Sequence, residues 1–322
     1  MAVKFLPTAT VLDERYQIVS VLGKGGSGAV YKAKDLESNE IVAVKVLITN
    51  EFDPRAAMQL QFFQREVELL KRVSHPNIIH ILDSGISPEG QLYLVTDYVA
   101  GNSLKSIRKT GQLTLDRISS IFNQVAEALQ AIHNQGIIHR DFKPQNILVT
   151  EIENKEIAKL LDFGIAKMIR GSDEEAFLRT ITSKGVITGT AQYMSPEQCQ
   201  GAKLDERSDI YSMGITAYEL FSGRVPFDNA STLGIILMHI EVPPPAIEGI
   251  PKPIENVIMR ALEKFPENRF ACATDFSKAL ANAVVEATRL ANQVVILGNG
   301  AKADEETEAF SPEFSEAPTQ RH

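Results

Sequence analysis

Apolar, largely β-branched runs bounded by polar residues dominate the first hundred positions and predict strands at residues 16–22, 29–33, 41–47, 78–82 and 92–96. The first two flank a glycine-rich stretch and read as a hairpin. After the helix-start signal Asp53-Pro54 the spacing changes to that of a helix over residues 55–73. On that helix Phe63, Glu66, Val67 and Leu70 share one face, so one carboxylate stands in an otherwise apolar stripe and calls for a cation. Beyond Gly101 helical periodicity takes over, with a long amphipathic helix at 115–135 ended by Gly136, and others near 206–222, 230–240, 254–264 and 273–292. Short strands at 147–149 and 158–161 bracket the polar turn Glu153-Asn154-Lys155. Sheet first and helices second make this an α+β chain.

Its 322 residues suffice for two domains or one large two-lobed unit, and 44% hydrophobic with 23% charged residues is the mixture of a folded globular protein. The formal charge of −8 argues against a nucleic-acid partner. Two cysteines far apart, Cys199 and Cys272, suit packing in a reducing, cytoplasmic compartment better than a disulfide framework. No stretch reaches the roughly 20 apolar residues of a membrane-spanning helix, and no signal peptide opens the chain. Residues 301–322 hold six acids and two bases with little periodicity, which predicts a disordered acidic tail.

Three groups of residues carry chemistry. The string Gly23-Lys24-Gly25-Gly26-Ser27-Gly28-Ala29-Val30 lets backbone N–H groups approach phosphate oxygens. A strand follows it rather than a helix, which favours a flap between two strands over a dinucleotide-binding turn and so disfavours an NAD-dependent enzyme. Fifteen residues after Val30, Lys45 closes the apolar run Val42-Ala43-Val44, and its natural partners are Glu66 and a bound phosphate. The third group is His139-Arg140-Asp141-Phe142-Lys143-Pro144-Gln145-Asn146, followed by Asp162-Phe163-Gly164.

With the glycine loop, Lys45, Glu66, the His139–Asn146 segment and Asp162-Phe163-Gly164 in this order, the chain resembles the eukaryotic-like protein kinases, bacterial Ser/Thr branch. The resemblance implies a bilobal kinase fold: an extension at 1–15, a small lobe at 16–99, a helical lobe at 100–285 and an acidic tail at 286–322. It implies Ser/Thr phosphorylation of proteins, with Asp141 as catalytic base, Lys143, Lys45 and Glu66 assisting, and Asn146 and Asp162 as ligands of Mg²⁺ or alternatively Mn²⁺. ATP would be held by Leu22, Gly23, Gly25, Gly28, Val30, Ala43, Lys45 and Leu148, by the backbone near Asp97 and Val99, and beside Thr96 at the gatekeeper position. The likeness continues through Gly189-Thr190-Ala191-Gln192-Tyr193-Met194-Ser195-Pro196-Glu197, through Asp209 and through Arg269, and it pairs Glu197 with Arg269. Ser195, Phe142 and Gln145 depart from the usual Ala, Leu and Glu, and none removes a reacting group.

By the same resemblance, Arg140 pairs with a phosphorylated activation segment, for which Thr180, Thr182 and Ser183 are candidate autophosphorylation sites, whereas Thr190 positions the active site. Thr307, Ser311, Ser315 and Thr319 of the tail belong first to a solubilising segment and second to a phosphorylated one. A rival from another class is a pseudokinase scaffold, marked by loss of the Lys, the base or a metal ligand; Lys45, Asp141, Asn146 and Asp162 are all present. Many bacterial members continue into a membrane helix and sensor, so the chain is expected to be a soluble kinase or a piece of a longer one. Dimerisation stays open.

Overall fold

The computed structural model describes residues 6–25, 28–47, 56–87, 90–111, 113–162 and 191–305. Strands β1 (Val11–Leu12), β2 (Tyr16–Gly25), β3 (Gly28–Asp35), β4 (Ile41–Leu47), β5 (Ile81–Ile86) and β6 (Leu92–Asp97) form an antiparallel sheet in the order β1-β2-β3-β4-β6-β5. Helix α1 (Ala56–Lys71) lies between β4 and β5 in sequence. Register decides which residues share a face. Val30 lies opposite Lys45 and Lys45 opposite Leu94, while Lys32, Ala43 and Thr96 line up likewise. Val30, Ala43, Lys45 and Thr96 therefore face one side of the sheet. Tyr31, Val44 and Val95 face the other and are buried in a small core that includes Leu12, Tyr16 and Ile18.

The helical part opens with β7 (Asn102–Ser103) and α2 (Leu104–Lys109), capped by the Ser103 side chain accepting from Ser106 N–H. Helix α3 (Leu115–His133) is capped likewise by Thr114. Strand β8 (Ile147–Ile152) pairs with β7 on one side and with β9 (Lys155–Leu160) on the other in a second sheet, the β8–β9 hairpin turned by Glu153 and Asn154 at φ of 52° and 61°. Then come α4 (Pro196–Gln200), α5 (Arg207–Ser222), α6 (Thr232–Glu241), α7 (Lys252–Ala261) and α8 (Ala273–Glu305). Helix α5 is buried on nearly every side, from Ser208 to Leu220. One apolar core runs from Leu47 and Phe63 through Phe122, Leu129 and Ile210 to Ala287, so it is continuous between the sheet-rich and helical parts. Fold and pattern agree on an α+β, two-part architecture.

The sequence pattern and the structure differ in four places. The apolar run at 78–82 splits: Ile78 bridges Leu160, Ile79 N–H donates to the Leu160 carbonyl at 3.0 Å, and only from Ile81 does the chain join the main sheet. A run buried at the junction of two parts has the same apolar signature as a strand. Second, the sheet starts before residue 16, because β1 pairs with β2 and Leu12 is buried. Third, the backbone stays helical to Glu305, with Ala287 in the core, where the acidic composition predicted a tail from residue 286. Fourth, β1, β7, α2 and α4 are too short for periodicity to reveal.

Leu12 seals the small core whereas Val11 is exposed. Leu12→Ala is expected to destabilise the protein by about 2–4 kcal/mol, and Val11→Ala by less than about 0.5 kcal/mol, in urea denaturation.

Candidate active site

The site is built around a loop that runs from His139 to Asn146. Its anchor is Asp209, in the first turn of α5 and fully buried. The Asp209 carboxylate accepts the backbone N–H of His139 and of Arg140, each at 2.8 Å, and lies 2.8 Å from His133 Nε2. Burial alone would raise the Asp209 pKa; the bonds from His133 and His139 outweigh it and hold the carboxyl below its usual range. These bonds fix Arg140 at φ 63°, a left-handed conformation that costs a non-glycine residue about 1 kcal/mol or more. Burial pushes the His139 pKa down, so its ring is neutral. Its Nε2 meets the Leu161 carbonyl at 2.9 Å and its Nδ1 accepts from Asp141 N–H at 3.3 Å. One histidine thus joins the loop to the segment carrying Asp162.

Asp141 is aimed by two neighbours. Lys143 Nζ donates to its Oδ2 at 2.7 Å, and Asn146 Nδ2 donates to the same oxygen at 2.9 Å and to the Asp141 carbonyl at 2.8 Å. The turn Pro144–Asn146 brings these residues together, and Leu161 N–H, donating to the Asn146 carbonyl at 2.8 Å, sets Asp162 beside them. Asp162 also has a left-handed backbone, φ 54°, and its carboxylate pairs with the Lys45 ammonium. This corrects the expectation for Lys45. Its partner is Asp162, and among the described residues no Lys45–Glu66 ion pair forms; Glu66 is half-buried on α1, in line with buried Phe63, Val67 and Leu70. The φ of Asp162 turns its carboxylate toward Lys45, which satisfies the amine without α1.

Of the expected nucleotide-contacting residues, Val30, Ala43, Lys45 and Thr96 share the sheet face established by register, and all four are half-buried. Leu148 on β8, Asp97 and Val99 are half-buried too, whereas Leu22, Gly23 and Gly25 are exposed. Gly28 is required at its place: φ is 152°, and a Cβ would lie 2.0 Å from the Val46 carbonyl oxygen. Phe163, Gly164, Thr180, Thr182, Ser183 and Thr190 lie outside the described residues, as do Gly26 and Ser27.

Two further buried pairs brace the site. Arg269 clamps Glu197 with bonds of 2.7 and 2.9 Å, aided by Ser208 Oγ at 2.7 Å. Burial works to raise the Glu197 pKa, and the Arg269 bonds overcome it. Separately, Glu219 on α5 receives Tyr193 Oη at 2.5 Å and the Arg108 guanidinium at 3.1 Å. Gln198 caps α4 and also donates to the Arg140 carbonyl at 3.0 Å. His133, Gln198 and Glu219 escaped the sequence reading, because their partners stand 26 to 111 positions away and no local spacing marks them.

A sheet-rich lobe joined to a helical one, with a held carboxylate, an amide, a second carboxylate and a lysine converging between them, defines the two-lobed kinase class. Residues 16–281 match the protein kinase domain, and the chain belongs to that family. It is 39% identical over 275 residues to serine/threonine-protein kinase pkn3 of Myxococcus xanthus, covering 83% of this chain and 49% of that protein. It is 37% identical over 279 residues to serine/threonine-protein kinase PknB of Mycobacterium tuberculosis, covering 84% of this chain and 43% of that one. The chain thus spans less than half the length of these relatives. The crystal structure of the Mycobacterium tuberculosis PknI kinase domain superposes with a TM-score of 0.66 at 28% identity, over 87% of this chain and all of that one.

Arg269→Ala leaves a carboxylate buried and unpaired, and a loss of about 3–5 kcal/mol in denaturant unfolding is expected. A pH dependence follows from His239, fully buried on α6 with Nδ1 2.9 Å from Tyr211 Oη. Burial, then the Lys264 ammonium, lower its pKa to about 3 from 6.5, despite opposing backbone groups of Ala191 and Gln192. Between those values the unfolded chain binds the extra proton, so this contribution is whole above pH 6.5 and is lost as pH falls toward 3. The slope from this one group is at most about 1.4 kcal/mol per pH unit, and His239→Gln is expected to flatten it in unfolding curves between pH 4 and pH 7.

Proposed function

We propose that the chain transfers the γ-phosphoryl group of Mg·ATP to Ser and Thr hydroxyls of proteins, its own activation segment included. The observation that carries this reading is the aiming of Asp141 by Lys143 and Asn146 beside the Lys45–Asp162 pair. Asp141 accepts the proton of the acceptor hydroxyl as its oxygen attacks phosphorus, and Lys143 keeps the carboxylate turned to that oxygen. Lys45 sits where an ammonium can exchange its Asp162 contact for phosphate oxygens.

The donors fit a hard divalent cation. With both N–H groups of Asn146 committed to Asp141, its side-chain oxygen is the atom left to bind metal, and Asp162 adds a carboxylate. When bound, magnesium or manganese neutralises phosphate charge during transfer. Val30, Ala43 and Leu148 supply apolar surface for a purine ring, with Asp97 and Val99 at its edge and Thr96 behind it. Lys143 supports the choice of Ser and Thr by its place in the family pattern, and the relatives named serine/threonine-protein kinases agree with it. Intact Lys45, Asp141, Asn146 and Asp162 weigh against a pseudokinase scaffold. No helix among the described residues is long and apolar enough to cross a membrane, and two free cysteines suit the cytoplasm.

Incubation with labelled ATP and Mg²⁺, followed by identification of labelled residues, tests the reading. Phosphoserine and phosphothreonine are expected, at a turnover of about 1–100 per second on a good substrate. Lys45→Met is expected to cut the rate by about a hundredfold or more, with folding retained by circular dichroism. Undiminished transfer by folded Lys45→Met or Asp141→Asn would contradict the roles of these two side chains.

A further inference from the structure

We infer that the flank of α2 carrying Lys105 and Lys109 selects acidic segments around the hydroxyl to be phosphorylated, the chain's own C-terminal tail among them. This rests on the phosphotransferase reading above and names its substrate class. Helix α2 buries Leu104 and Ile107, which leaves Lys105, Arg108 and Lys109 together on one flank at spacings of three and four. Arg108 fixes the direction of that flank. Its guanidinium donates to the Gly223 carbonyl at 2.6 Å and pairs with Glu219 at 3.1 Å. The helix also packs on the turn Pro144–Asn146, which belongs to the loop that holds Asp141.

The charge balance there is one-sided. Glu219 is a buried acid bonded to Tyr193, and it would attract a cationic peptide if it were unpaired. Both of its oxygens are already engaged, one by Arg108 and one by Tyr193. Asp141 in turn is paired with Lys143. Lys105 and Lys109 make no ion pair among the described residues, so they leave positive charge beside the loop of a chain whose formal charge is −8. A peptide bringing carboxylates gains from this field, and a basic one does not.

The sequence supplies such peptides. Asp304, Glu305 and Glu306 immediately precede Thr307, Glu308 follows it, and Glu313 and Glu316 flank Ser315. Asp173-Glu174-Glu175 likewise stand upstream of Thr180. Acidic neighbours thus mark Thr307 and Ser315 of the tail, which gives the tail a role beyond solubility, whereas Thr180, Thr182 and Ser183 lie between Arg179 and Lys184.

Two synthetic peptides of residues 302–318 test this with the full chain: the native one, and one with Asp304→Asn and Glu305, Glu306, Glu308, Glu313 and Glu316 each replaced by Gln. At low salt kcat/KM is expected to favour the native peptide by about tenfold, expressed in KM, since half-buried Lys105 and exposed Lys109 act on it. The preference is expected to vanish or reverse in Lys105→Glu/Lys109→Glu, and to shrink for the unaltered protein at about 0.5 M salt, where charges are felt over only about 4 Å. The salt series decides the matter should the double variant not fold. Equal kcat/KM for both peptides, or a preference indifferent to salt, overturns this inference alone. Failure to phosphorylate either peptide or any protein acceptor overturns the phosphotransferase reading and this inference together.

Discussion

The site depends on one buried carboxylate. Asp209 accepts two consecutive backbone N–H groups, of His139 and Arg140, and meets His133 besides. A buried acid is tolerable only when its oxygens are occupied in this way, and successive amides converge on it only if the chain bends sharply. That bend is the left-handed Arg140. It turns Asp141 outward toward Lys143 and Asn146 while His139 reaches inward to Leu161, so a single anchoring acid sets both the base and the segment carrying Asp162. Helix α5 can hold the anchor because its neighbours enclose it and leave it little freedom to shift.

The other buried charges extend the same logic outward. Glu197 with Arg269 fixes α4 against α5 and the chain before α8, and Gln198 of α4 returns a bond to the Arg140 carbonyl. Glu219 joins Tyr193 to α2. Each pair is worth little over an apolar equivalent, but removing one partner strands the other, so together they specify one arrangement of the loops. The Lys45–Asp162 contact differs in being partly exposed, with side chains 14% and 30% accessible. Contacts of that kind exchange readily. That suits a lysine which must also meet phosphate.

The sequence made some of this legible and hid the rest, for physical reasons. The reacting groups were readable because their spacing is local: Asp141, Lys143 and Asn146 fall within six residues, and Lys45 ends a β-branched strand. The large helices were readable from periodicity, and α3 begins and ends close to its capping signals. What remained hidden was long-range or short. His133 and Glu219 meet partners through folding alone, β1 and α2 are too brief to show a period, and the Ile78–Ile79 crossing imitates a strand because burial at a junction demands the same residues. The expected Lys45–Glu66 pair failed differently. Sequence names the charges that could meet but not which partner the backbone turns toward the amine, and Asp162 is the one so turned.

If Asp209 organises the loop rather than merely stabilising the fold, Asp209→Asn should separate binding from turnover, because an amide presents an N–H₂ group to backbone donors. The decisive measurement is turnover together with nucleotide affinity on folded Asp209→Asn protein. Affinity within about threefold of the parent is expected, with turnover lower by about a hundredfold, the cost of a base displaced by an ångström or so. Turnover equal to the parent's in that folded variant would contradict the anchoring role of Asp209.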